Sequence, residues 1–123
     1  MKLVEVQISN ALLDSIKLKE FDLEDLKKLL YLKKELKSKV EETNNLKIEI
    51  MKKYEIPLVS GGYEYKGHPK QQEIDELMNK INDEEVILKA ETNFLAWDKL
   101  KSSLNDDSNA STALILSELL VKK

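Results

Sequence analysis

A chain of 123 residues has the length of one domain and can build one modest core. Its 41% hydrophobic and 35% charged residues fit a folded, helix-biased chain rather than a disordered tail, and no apolar run is long enough to span a membrane. The net charge is −3, cysteine is absent and all twenty basic residues are lysine. This excludes disulfide and thiolate chemistry and argues against sequence-specific nucleic-acid reading, where arginine's planar fork does the work.

Residues 2–9, "KLVEVQIS", place Val4, Val6 and Ile8 on one parity, which predicts a short strand. A strand needs a partner, so a second strand is expected elsewhere. Ser9 and Asn10 are then candidate caps for a short helix carrying Leu12, Leu13 and Ile16. The start lacks the continuous apolar stretch of a signal peptide, so cytoplasmic residence or synthesis is the simple expectation, although a virion component would look the same.

Asp22 is a good N-cap for the longest predicted element, with Phe21 and Leu26 at the two positions of a hydrophobic staple. Leu29, Leu32, Leu36, Val40, Ile50 and Tyr54 follow in helical phase, while Thr43 and Lys47 interrupt the seam. The expectation is one helix over residues 22–54, or two joined near "ETNN" at 42–45. This stretch is basic, with nine Lys against seven Asp or Glu. By contrast, residues 71–107 carry four Lys against ten acids.

Pro57 ends helical geometry, and Pro69 suits the first turn of the next helix, which carries Ile74, Leu77, Met78 and Ile81. Between them "GGYEYKGHPK" (61–70) holds every glycine of the chain and its only histidine. Gly62 and Gly67 have P-loop spacing, but His68 and Pro69 replace the required Lys and hydroxyl residue, so the phosphate cradle fails. His68 lacks an orienting partner and a nucleophile, which argues against catalysis. The loop reads instead as a turn at Gly61–Gly62 and an extended, exposed flap. Tyr63 and Tyr65 would share one side, with Lys66 and His68 on the other parity. These four are the candidate partner-binding residues.

Beyond Asn82, "EEVILKAETNF" reads either as continued helix or as a strand with Val86, Leu88 and Ala90 inward; the β-branched run favours the strand. Residues 94–104 form a short predicted helix with Trp97 in the core, and "TALILSELLV" a final helix that is apolar on most sides. "NDEE" and "NDDSN" lack calcium-loop spacing and read as solvated charges and caps. No metal, nucleotide or cofactor motif is found in the sequence, and "NAS" at 109–111 is a bare sequon without a secretion signal.

The order of these features resembles a small uncharacterised family of tailed bacteriophages, mostly of Gram-positive hosts. The shared marks are Ile8-Ser9-Asn10-Ala11 after the first segment, Lys53-Tyr54 closing the long helix, and Glu85-Val86-Ile87-Leu88. Asp98-Lys99-Leu100 and the apolar helix from Ala113 to Val121 complete them. No activity is established for that family, so the resemblance implies a phage setting and no catalytic residues; it also favours the strand at 85–90.

The expected fold is mainly helical α+β in a single domain. A long helical hairpin spans residues 22–82, closed by a two-stranded sheet from residues 2–9 and 85–92 and followed by a C-terminal helix. The expected function is a non-enzymatic protein–protein interaction role, structural or assembly-related, with a phage or host protein as partner, self-association, and no membrane contact. The alternative is a small acidic inhibitor of a host defence or regulatory protein, favoured by the acidic 71–107 stretch.

Overall fold

Burial along the first segment recurs at Leu3, Val6, Ser9 and Leu13, the spacing of one helix face. The computed structural model accordingly shows α1 over Leu3–Leu13, running straight through Ser9 and Asn10. It describes residues 1–59, 62–104 and 110–123, so the expected turn at Gly61, the caps at 105–109 and the sequon's Asn109 lie outside the described residues. The predicted strand at 2–9 is therefore corrected to helix. The Val4–Val6–Ile8 alternation was coincidental: Ile8 is 43% exposed while Leu3 and Val6 are buried. Leu, Glu, Gln and Ala are good helix formers, and the Lys2 N–H is satisfied by Glu5 Oε1 at 2.9 Å.

The long element is one helix, α2, over Leu23–Lys53. The Asp25 N–H donates to Asp22 Oδ1 at 2.9 Å, Glu24 and Asp25 sit at its positive end, and Lys52 and Lys53 sit in its last turn. Its buried stripe is Asp25, Leu29, Leu32, Leu36, Thr43 and Met51. Thr43 does not break the seam, because its hydroxyl donates to the Lys39 carbonyl at 2.8 Å and its methyl can be buried. The helix passes "ETNN" without interruption and ends before Glu55, which takes a positive φ of 55° ahead of Pro57.

Beyond it come a two-residue antiparallel pair, β1 (Leu58–Val59) with β2 (Gly62–Tyr63), and then α3 over Gln71–Asn82. This helix joins two apolar clusters: Ile81 belongs to the main core, and Ile74 packs with Met51 and Ile56 in a smaller one. It returns beside only the C-terminal half of α2, where Lys47 Nζ donates to Asn82 Oδ1 at 3.0 Å. The expected long hairpin is thus not the framework. Helix α2 packs chiefly on α1, and α1 also meets α3 and the last helix.

Residues 83–96 are neither helix nor strand; they form an irregular strap. Of the predicted sheet only one antiparallel bridge remains, Lys2 with Glu85, supported by Leu3 N–H to Glu84 O at 2.9 Å and Val86 N–H to Met1 O at 2.7 Å. The expected parity holds without the strand: Val86, Leu88 and Ala90 pack against the core while Ile87 is 89% exposed. Phe94 and Leu95 are buried, α4 (Trp97–Ser103) buries Leu100, and α5 (Ala110–Leu120) buries Leu116, Leu119 and Leu120. Trp97, expected in the core, is 46% exposed at the start of α4.

The strap also closes α5. Asn93, at a φ of 57°, donates its backbone N–H to Leu119 O and its side-chain amide to Glu118 O and Val121 O. The Leu95 N–H takes Leu120 O at 2.8 Å. Carbonyls that a helix end leaves without partners are therefore satisfied from a distant segment.

Candidate interaction surface

The candidate partner-binding residues Tyr63, Tyr65, Lys66 and His68 all belong to the glycine-rich loop. Tyr63 and Tyr65 do share a side, as the extended backbone requires. That side faces inward: both rings are half-buried against Met51, Ile56 and Ile74, with Tyr54 and Met78 closing the cluster. Tyr65 Oη donates to Asp75 Oδ1 at 3.0 Å, and this bond to a carboxylate raises the tyrosine's pKa above its ordinary value. The expected exposed tyrosine row is corrected accordingly: the apolar cluster beneath the loop draws both large rings inward. Lys66 stays exposed. His68 is half-buried, with Nδ1 accepting the Lys70 N–H at 3.0 Å and its backbone tied to Tyr65 and Gln71. The four residues lie in one small head, but they do not form one outward surface.

The outward apolar surface lies elsewhere. On α2, Leu30 and Tyr31 are 64% and 65% exposed, beside the buried Leu29 and Leu32. On the strap, Ile87 is exposed and lines one open surface depression together with Tyr31. The strap crosses α2 at Glu35, whose carboxylate accepts the backbone N–H of Lys89 at 2.9 Å and that of Ala90 at 2.9 Å. A shallow open groove runs along this crossing. Tyr31, Glu35 and Lys89 line its whole length, Lys27 and Lys28 one end, and Lys34, Lys39 and Ile87 the other.

Charge in the groove is unevenly committed. Glu35 is engaged by the strap backbone, Glu42 by Lys39 at 3.7 Å, and Glu91 by Lys28 at 3.4 Å. Lys27, Lys34 and Lys89 have no acidic partner among the described residues, and of the lining acids only Glu24, in the first turn of α2, is unpaired there. With five lysines against four glutamates, the groove lining carries one positive charge in excess, alongside the apolar side chains of Tyr31 and Ile87.

Among the described residues no group of three or more His, Asp or Glu side chains could hold a metal ion, and no helix is long and apolar enough to cross a membrane. No family model, curated protein or solved structure matches the chain.

Sequence reasoning missed Tyr31, Glu35 and Ile87. A signal was present for the first: "LLYL" at 29–32 is wider than one helical stripe, so one of its members had to leave the core. Ile87 was legible as the off-parity residue of an otherwise inward row. Glu35 was not legible, because its partners lie 54 and 55 positions away.

Proposed function

We propose that this chain is a phage-encoded, non-enzymatic protein–protein interaction protein with a structural or assembly role, acting in the host cytoplasm or the virion. The observation that carries the reading is the groove between α2 and the strap, where Tyr31 and Ile87 stand 65% and 89% exposed on either side of a fixed backbone crossing. A large aromatic and a branched aliphatic side chain on a braced surface are the usual anchors of a protein interface. The family resemblance supports the phage setting.

The test is a comparison of wild type with Tyr31→Asp/Ile87→Asp, both expressed during phage infection. The variant should keep the wild-type melting temperature, because neither side chain is in the core. Wild type should retain a phage structural protein that the variant loses. Equal retention by both would remove this surface from the function.

A second reading, inhibition of a host defence or regulatory protein, draws support from the acidic side of α3, where Glu73 and Glu76 are exposed beside Asp83 and Glu84. In the same comparison, a retained host protein lost on Glu73→Lys/Glu76→Lys, and kept by the groove variant, would favour it.

A further inference from the structure

We infer that the groove between α2 and the strap takes an acidic peptide segment of a partner protein, with apolar side chains set between its carboxylates. The inference rests on the interaction reading above and names the chemistry of the partner.

Three observations converge on it. First, five lysines against four glutamates line the groove, and Glu42 and Glu91 are each already paired with a lysine. The ammonium groups of Lys27, Lys34 and Lys89 remain for an outside anion. Second, the anchors Tyr31 and Ile87 are apolar and strongly exposed, so a pure polyanion would leave them in water. This favours a peptide over a nucleic-acid backbone, as does the absence of arginine. Third, a second copy is a poor occupant. A symmetric contact between two α2 helices here would set the Lys27 and Lys34 rows against each other, and like charges facing across an interface oppose association. The chain's own acidic side on α3 offers glutamates but no strongly exposed apolar anchor.

Charge of this kind acts on encounter and selectivity more than on final affinity, so salt dependence is the signature to seek. The groove's rigidity also matters. Because Glu35 fixes Lys89 and Ala90 to the helix, Tyr31 and Ile87 keep their spacing without a partner, and little ordering accompanies binding.

The experiment uses the full chain and a labelled synthetic peptide in which Asp or Glu alternates with Leu or Phe. Three controls are a Lys/Leu peptide, a Ser/Leu peptide and a single-stranded oligonucleotide. Anisotropy gives affinity and amide shifts give location. The expected result is that the acidic peptide binds, moves the amides of Tyr31, Ile87 and Lys89, and weakens as salt rises. Its affinity should fall about tenfold in Lys34→Glu/Lys89→Glu, a change large enough to resolve. Equal binding of the Ser/Leu peptide would overturn the charge assignment and leave the interaction reading standing. Equal or tighter oligonucleotide binding would replace the peptide with a polyanion. Concentration-dependent dimerisation that blocks the groove would replace it with a second copy. If no probe moves those amides, and Tyr31→Asp/Ile87→Asp keeps every native partner, both the inference and the reading beneath it fail.

Discussion

Lys99 Nζ donates to Asp25 Oδ2 at 2.6 Å, joining the first turn of α2 to the short helix α4 across 74 positions of sequence. Asp25 is the one charged residue in the buried stripe of α2, at 8% exposure, so the lysine is what makes its burial tolerable. The hydrogen bond to Asp25, helped by the negative charge of Asp25 and Asp22, raises the Lys99 pKa above the ordinary lysine value. The stability this pair contributes is therefore fully present below the ordinary lysine range and is lost as pH climbs through the raised value. Lys99→Met should lower the melting temperature at neutral pH and flatten its alkaline fall. An unchanged alkaline limb would show the pair to be ornamental.

The neighbouring carboxylate behaves in the opposite sense. The backbone N–H of Asp25 holds the Asp22 carboxyl below its ordinary value. Its contribution is present above the usual carboxylate range and disappears as pH falls through the lowered pKa. Asp22→Asn keeps a cap but removes the titration, so the acid limb of the stability profile should shallow while neutral stability changes little. Denaturant midpoints measured across the acid range decide this.

Helix and strand at residues 2–9 make different demands, and two variants separate them. Val6 is fully buried and Ile8 is 43% exposed on α1. Val6→Asp should unfold the protein, whereas Ile8→Asp should cost no more than about 1 kcal/mol, the range of a surface change. A strand would make both intolerable. Circular dichroism and urea denaturation of the pair suffice.

Ser9 is the one buried side-chain oxygen without a partner among the described residues. It lies at 0% exposure in the face that α1 turns to its neighbours. Removing an unsatisfied hydroxyl lifts a desolvation penalty of roughly 1–3 kcal/mol and leaves only a small gap. Ser9→Ala should therefore be neutral or stabilising in urea denaturation. A loss above about 1 kcal/mol would reveal a bond the hydroxyl makes elsewhere.

The head that holds Tyr63 and Tyr65 should melt apart from the main core. Tyr65→Phe removes the bond to Asp75 and should cost about 1 kcal/mol. Tyr63→Ser/Tyr65→Ser should strip amide-exchange protection from residues 62–78 and leave α1 and α5 protected. Uniform loss across the chain would mean that the two clusters are one cooperative unit.

Elements whose signals are local were legible. The Asp22 cap, the Phe21–Leu26 staple, the stop at Pro57 and the parity of Val86, Leu88 and Ala90 each depend on residues within a turn or two. What was not legible depended on distant partners. Residues 2–9 carry an alternation and a helical face together, and only packing on α2, α3 and α5 selects the second. The strap keeps its parity but forms no strand, because distant groups, the Glu35 carboxylate and the carbonyls of Met1, Leu119 and Leu120, satisfy its backbone one at a time. The tyrosines of the loop were correctly paired on one side, but no neighbour in sequence reveals that Met51 and Ile74 wait beneath them.

Helix α1 lies against α5, and the strap caps α5 through Asn93, so α1 depends on a helix made much later. During synthesis α1 leaves the ribosome roughly a hundred residues before α5, and the end of α2 roughly sixty before it, with Leu13, Leu116 and Leu120 destined for one core. The nascent chain must carry a bare apolar face until α5 emerges and can settle only then. A ribosome stalled before Ala110 should expose a chaperone-binding, protease-sensitive chain, and premature termination there should yield degradation products rather than a smaller folded protein.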